Sequence, residues 1–453
     1  MDTLATFRKK YPTFVYERFA YKREENSLII SFIFKVSPDI EFNPIVTIED
    51  ISSLDVSNLD RSTIENFIFH LGLIEMVSYW KATCSPKIEI RAGCLEAKQR
   101  KWWENMFING LGEFFYQNKI NFKNGEFLTI KNCSSKRFSI DAQEHRDKYL
   151  VLNGGGRDSA VTLEVLKELK LVSTILTLNP TVASEELANV SKIKKSIVVK
   201  REMDSKLLEL NSRGYLNGHT PFSAYLAFLS ILCALIFDHK YVIVSNERSA
   251  NEENIEFFGN KINHQYSKSF EFEKLFRDYV KENLSESIEY FSLLRPLYEL
   301  QISKIFSNYH SYLKAFKSCN RGQKNNVWCG QCPKCLSVYI TFYPFIDKEQ
   351  IISIFGQDLY EKEELLDLLA YIIGEKKPKP FECVGTYEEL HEGLRLSIKK
   401  LEVNGEKLPI LLRYASTIIN SNNEPRTDIL SSWDKNNFLT DEFTKSLKIK
   451  IFG

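Results

Sequence analysis

The 453-residue chain has no apolar run long enough to cross a bilayer: the longest, Ala224 to Phe237, is interrupted by Ser230 and falls short of the ~20 residues a spanning helix needs. Its first residues, MDTLATFRKKYPTF, are basic but lack an apolar stretch leading to a small-residue cleavage site, so no secretory signal is visible and the sequence reads as soluble and cytoplasmic. A dominant charge is also missing. With 60 Lys+Arg against 59 Asp+Glu the formal charge is +1, which provides no whole-molecule field to draw the protein onto nucleic acid or an anionic membrane, and neither partner is expected. Repeats and low-complexity tracts are absent. Nine cysteines is an odd number, and four of them lie between Cys319 and Cys335, a spacing that speaks for metal rather than a disulfide framework. What is abundant is apolar and aromatic: 43% of residues are hydrophobic, with 32 Phe, 21 Tyr and 5 Trp, which excludes pervasive disorder and suits deep cores and pockets.

At ~100–200 residues per domain the length predicts about three units. Residues 1–146 read as an α+β domain, with strand-like alternation at Leu28–Phe34 and Lys87–Ile90 and helical patterns at Ile64–Tyr79 and Gln99–Gln117. Residues 147–345 read as α/β: strand Tyr149–Leu152, a glycine turn, helix Ser159–Lys170, strand Val172–Leu178, a buried helix Phe222–Phe237 and strand Tyr241–Val244. This alternation predicts a mostly parallel sheet with helices on both faces and a ligand at the strands' C-terminal ends. Residues 346–453 are mainly helical in pattern, broken by Lys376-Lys377-Pro378-Lys379-Pro380, which reads as an exposed connector.

Two motifs carry chemistry. In Gly154-Gly155-Gly156-Arg157-Asp158-Ser159, between strand and helix, glycines allow close backbone approach to a phosphate while the helix N-terminus supplies N–H donors and its positive dipole end. The spacing is neither that of a Walker A loop nor that of a dinucleotide fingerprint. In Cys319-x9-Cys329-x2-Cys332-x2-Cys335 the paired thiolates can grip one tetrahedral Zn²⁺ at ~2.3 Å, and a closed four-sulfur shell is structural rather than catalytic. An iron–sulfur cluster on the same thiolates is the lesser possibility.

The glycine loop resembles the S-G-G-x-D-S loop of the PP-loop ATP pyrophosphatase superfamily, which cleaves ATP between its α and β phosphates and adenylates a carbonyl or carboxyl oxygen, with Gly154 in place of the usual serine. Loop and cysteines together resemble 7-cyano-7-deazaguanine synthase, over Tyr149 to about Tyr343. A wider resemblance, to the UDP-N-acetylmuramoyl-L-alanyl-L-glutamate epimerase family, spans nearly the whole chain. It rests on Phe69–Glu75 with Ser78-Tyr79-Trp80-Lys81, Gly218–Ala224, Ser245–Asn251, Ile262–Glu273 and Lys379–Thr386. It implies an ATP-dependent inversion of the terminal L-glutamate of UDP-MurNAc-L-Ala-L-Glu through an acyl-adenylate. The alternatives are an amidation or ligation of the deazaguanine-synthase type and a nucleotide-binding regulatory protein without turnover.

Inversion needs an acid and a base within reach of one carbon. His264, Lys268, His219 and Glu247 are the candidates; His264 and Lys268, four apart, would share a side in a helix or a strand. Arg248 and Asn263 are candidate substrate contacts, with Arg248 and Lys268 also possible clamps for phosphate or carboxylate, and Glu247 a possible oxygen ligand for Mg²⁺. Cys383 and Cys84 are either pocket thiols or inert core. Trp102-Trp103 and Tyr79-Trp80 read as core, with stacking on a uracil or sugar ring as the alternative. Lys192, Lys194, Lys195 and Lys200-Arg201 read as solvated faces, and His70, His145, His239, His310 and His391 as structural or surface histidines.

Overall fold

The computed structural model describes residues 3–51, 59–123, 127–419 and 428–453. Its strands are β1 (Thr13–Glu24), β2 (Ser27–Val36), β3 (Ile40–Phe42), β4 (Ile45–Ile48), β5 (Lys87–Ile90), β6 (Thr129–Asn132), β7 (Tyr149–Leu152), β8 (Ser173–Leu178), β9 (Ser196–Glu202), β10 (Tyr241–Val244), β11 (Ile255–Phe257), β12 (Asn260–Ile262) and β13 (Glu289–Ser292). Ten of them form one continuous path, β13-β10-β7-β8-β9-β4-β2-β1-β5-β6, with β3 paired to β2; β11 and β12 form a separate hairpin.

The expected parallel sheet is present from β13 to β9. Its central strands β7 and β10 are apolar along their length because helices cover both faces, as in Leu150 and Val151 of β7. The N-terminal strands make the whole sheet mixed. β4 runs antiparallel to β9, Ile45 opposite Glu202 and Ile48 opposite Val199, and β2 and β1 continue antiparallel before β5 and β6 return to parallel pairing. Residues 1–146 therefore share a sheet and a hydrophobic core with the segment that follows. In β2 burial alternates residue by residue, as expected of a strand with only one face on the core.

The helix Arg61–Trp80 is capped by Asp60, whose carboxylate accepts from Thr63 N at 2.9 Å, and is buried from Thr63 to Trp80. It lies against the apolar helix Phe222–Phe237. The pattern read as one helix over Gln99–Gln117 is two, Ala97–Gly110 and Gly112–Gln117, broken at Leu111. Helices Tyr387–Val403, Ile410–Ile419 and Asp441–Phe452 form the helical C-terminal part.

Two expectations are corrected. In the presumed exposed connector only Lys376 and Lys377 are exposed; Lys379 is buried and ion-paired with Glu252, because this segment turns inward to deliver Phe381–Cys383 to the site below. Arg201 is no solvated cation: its guanidinium holds the buried Glu75 carboxylate at 2.8 Å and lies over the Tyr225 ring. Trp102 and Trp103 are core aromatics around Phe228 and Tyr279. No helix among the described residues is long and apolar enough to cross a membrane.

Candidate active site

At the C-terminal ends of β7 and β10 the chain opens into a cleft of ≈ 260 Å³. The glycine loop forms one wall. Asn153 pins it, accepting from Gly155 N at 3.0 Å and donating to Ser184 O at 2.8 Å. Gly155 has φ +78°, and a Cβ there would lie 2.7 Å from Ser184 N, so both backbone and space require glycine. A Cβ at Gly154 would meet nothing within 4 Å. The helix Arg157–Glu168 starts at Gly156, and Ser159 Oγ accepts from Gly154 N at 3.2 Å. Gly154, Gly156, Asp158 and Ser159 line the cleft, faced by Glu247, Lys268, Lys317, Lys334 and Cys383. Arg157 does not join them. Its guanidinium is buried behind the loop, 2.8 Å from Glu299, 2.6 Å from Ser303 Oγ and 3.0 Å from Asp158, so it aims its neighbour rather than the cleft. A second, more apolar hollow of ≈ 270 Å³ adjoins the loop, between Leu176, Leu178, Phe222 and Leu226.

The charges are arranged unevenly. Burial pushes Glu247 up to about 7, and Asp158 adds to this, so two carboxyl groups face one cleft. Burial also works against the charged form of Glu299, but Lys334 and Arg157 outweigh it and hold Glu299 down at about 2.

Beyond Lys268 lies a second group. Helix Gly112–Gln117 contributes Glu113, whose Oε2 receives His264 Nδ1 at 2.5 Å and stands 3.8 Å from His219 Nδ1. The two imidazole rings are 4.6 Å apart. Lys81 steadies the His219 loop by donating to Gly218 O and Thr220 Oγ1. The histidines diverge sharply: burial, then the His264 charge, takes His219 down to about 3, whereas Cys383 and Glu113 overcome burial and raise His264 to about 9. Lys268 Nζ is 3.2 Å from Cys383 Sγ. Burial would raise this thiol, but Lys268, His264 and Lys334 bring it to about 6. His264 and Lys268 thus meet around Cys383 without the helix or strand expected between them; only Tyr266–Lys268 forms a 3-10 turn.

Donor atoms of Glu113, His219 and His264 lie within 4.8 Å of one another. The 2.5 Å contact between Glu113 and His264 is a hydrogen-bond length, shorter than the ~3.3 Å edge of a tetrahedral shell with ligands at ~2.0–2.1 Å.

Residues 5–293 match the family model described as the MurL N-terminal domain, and residues 315–425 the one described as the MurL C-terminal domain. The chain belongs to the MurL family of epimerases. A curated relative from Xanthomonas oryzae pv. oryzae (strain MAFF 311018), named UDP-N-acetyl-alpha-D-muramoyl-L-alanyl-L-glutamate epimerase, is 30% identical over 76% of this chain and 77% of its own. Relatives of the same name from Micromonospora sp. (strain ATCC 39149 / NRRL 15099 / SCC 1413) and Salinispora tropica (strain ATCC BAA-916 / DSM 44818 / JCM 13857 / NBRC 105044 / CNB-440) are each 32% identical, over 74% and 72% of this chain and 75% and 72% of their own.

In this MurL chain Cys319, Cys329, Cys332 and Cys335 converge, with S···S separations of 3.9, 3.7 and 3.5 Å. A tetrahedron with bonds of ~2.3 Å has edges of ~3.8 Å, so the four sulfurs could bind zinc. Lys334, between two of them in sequence, is carried by the helix Pro333–Phe342 to within 2.8 Å of Glu299 and into the cleft wall. Both candidate substrate contacts also lie outside that cleft. Arg248 donates to Ser432 Oγ at 2.9 Å and lies over the Tyr298 ring. Asn263 donates to Ala250 O at 2.8 Å and lines a separate cavity of ≈ 430 Å³ beside Asn109 and Tyr266. Cys84 is buried core, its thiol pushed up by burial. Glu113 and Lys81 were missed as site residues. Lys81 ends a segment singled out by resemblance, whereas Glu113 stands alone in sequence, with its partner 151 residues away.

Proposed function

We propose that the chain inverts the terminal L-glutamate of UDP-MurNAc-L-Ala-L-Glu to D-glutamate in peptidoglycan precursor synthesis, adenylating the substrate carboxylate with ATP and releasing AMP and pyrophosphate. The observation that carries this reading is a shared wall: Lys268 and Cys383 line the glycine-loop cleft and also border the Glu113–His264–His219 group.

An α-proton beside a free carboxylate is hardly acidic, because its removal sets a second negative charge next to the first. Adenylation removes that obstacle, so an enzyme of this kind needs a phosphate site and a proton-transfer site in contact. With the Gly154 and Gly155 N–H groups already donated to Ser159 Oγ and Asn153 Oδ1, the phosphate cradle is the N-terminal turn of helix Arg157–Glu168 with its positive dipole end, together with the cations of Lys317 and Lys334. The apolar hollow beside the loop suits an adenine. Asp158 and Glu247 would hold Mg²⁺, whose chemistry is to neutralise phosphate charge. The four thiols would hold a structural Zn²⁺ that fixes the start of the Lys334 helix. Of the two imidazoles, His264 is charged and His219 neutral at pH 7, a division that supplies an acid and a base from one residue type. A substrate linked to UDP puts the reaction in the cytoplasm.

The test is turnover with UDP-MurNAc-L-Ala-L-Glu, ATP and Mg²⁺ in D₂O. AMP and D-glutamate carrying α-deuterium are expected together. AMP without inversion, or an amide product formed from ammonia, would replace this reading with the ligase one.

A further inference from the structure

We propose that the Cys383 thiolate accepts the glutamyl acyl group from the adenylate, so that inversion takes place on an enzyme-bound thioester. This rests on the epimerase reading and assigns that site a covalent intermediate.

Three observations lead there. Cys383 lies in the wall of the phosphate cleft, where an acyl-adenylate has to form, rather than in the core like Cys84. Its sulfur is 3.2 Å from Lys268 Nζ and is also hydrogen-bonded by His264, which is in turn held by Glu113 at 2.5 Å. A thiol beside an imidazole that a carboxylate orients is the arrangement of an activated nucleophile. The proton-transfer groups also stand together: the donor atoms of Glu113, His219 and His264 fall within 4.8 Å of one another. Groups gathered this closely cannot reach both faces of a carbon held rigidly by a bound nucleotide. A thioester frees that carbon, because rotation about the Cβ–Sγ and Sγ–C single bonds of the linkage swings the planar enolate so that either face turns toward the same imidazoles.

The steps balance. Sγ forms a bond to the acyl carbon, the C–O bond to the adenylyl phosphate breaks, and AMP leaves with the electron pair. The α-proton passes to His219, whose Nδ1 is buried with no hydrogen-bond partner, and His264 gives its proton to the other face of the enolate; His219 then loses its proton to solvent and His264 regains one from it. Water then attacks the thioester carbon, Sγ departs as thiolate, and the two protons of the water pass to solvent. Glu113 is a positioning residue, acting through His264.

The experiment is an acid quench of the wild-type enzyme turning over UDP-MurNAc-L-Ala-L-Glu with ATP, followed by peptide mass analysis. The expected result is the acyl group on the Cys383 peptide, removed by neutral hydroxylamine. In Cys383→Ser, inversion should fall by at least ~10²-fold while substrate-dependent ATP–pyrophosphate exchange falls far less. Inversion by Cys383→Ser at the wild-type rate overturns the proposal, as does an equal loss of inversion and exchange, which would place the thiol in adenylation. Iodoacetamide alkylation probes the thiol without substrate. Its pH midpoint in the wild type is expected near 6, moving upward in Glu113→Gln; a wild-type midpoint at the ordinary cysteine value of ~8.5 overturns the proposal. If the wild type shows no substrate-dependent exchange at all, the epimerase reading is what fails, and the alkylation midpoint alone judges the thiolate.

Discussion

Glu299 and Glu247 are both buried carboxylates beside the same loop, and their surroundings treat them in opposite ways. Glu299 receives Arg157 and Lys334, each at 2.8 Å, and is held at about 2; Glu247 faces Asp158 across an open cleft and rises to about 7. One is a finished ion cluster that secures the loop from behind. The other is a carboxyl in the cleft wall on which burial and Asp158 outweigh the more distant cations of Lys268 and Lys334. The difference separates structure from function more clearly than burial or residue type, because a buried charge is tolerated only when paired or when binding will pair it.

The largest test of that contrast is Glu299→Gln, which leaves the buried Lys334 without its carboxylate and Arg157 with Asp158 alone. It should cost ~3–5 kcal/mol, read as a large fall in thermal midpoint. Glu247→Gln should leave the midpoint unchanged or raise it at pH 8, where the native state must otherwise hold an ionised buried carboxylate, while Mg²⁺-dependent ATP–pyrophosphate exchange falls by at least ~10²-fold. Equal destabilisation by the two substitutions would erase the distinction.

The two histidines repeat the comparison at smaller scale. In Glu113→Gln, His264 loses its carboxylate and its NMR titration midpoint should drop from about 9, while His219 stays neutral throughout. The sign follows from linkage: a raised histidine lends stability that is complete below its unfolded value of ~6.5 and is lost as pH rises through about 9, so Glu113→Gln should cost most in acid and little above pH 9. The smallest effect is expected at Gly154. A serine there meets nothing within 4 Å, so Gly154→Ser should fold normally and lower the KM for ATP a few-fold through one added hydroxyl contact of ~1 kcal/mol. A raised KM would mean the loop's glycine is required where no clash is seen.

Much of the candidate site was legible because its requirements are local. A turn of consecutive glycines between strand and helix and a group of four thiols joined by tight turns are both contiguous in sequence, so Gly154–Ser159 and Cys319–Cys335 stand out in order along the chain, and folding keeps each together. His264, Lys268 and Glu247 stood in segments whose polar density was visible. Glu113 was not legible, since a single carboxylate on a short helix gains meaning only when folding brings His264 to it. Arg157 was placed with the cleft because its neighbours belong there, but helix geometry turns successive side chains in different directions, and its own points to Glu299. The parallel strands were readable from apolar runs, whereas the pairing of β4 with β9 depends on which edge stands free, a property of no local segment.

That pairing has an engineering consequence. A fragment beginning at residue 147 would keep the glycine loop and the thiols, yet it would present the whole edge of β9 and the uncovered side of helix Phe222–Phe237 to water. Such copies would seek each other and aggregate, so a minimal core built around the glycine loop cannot be obtained by trimming; the N-terminal third is a splint set into the sheet and has to travel with it.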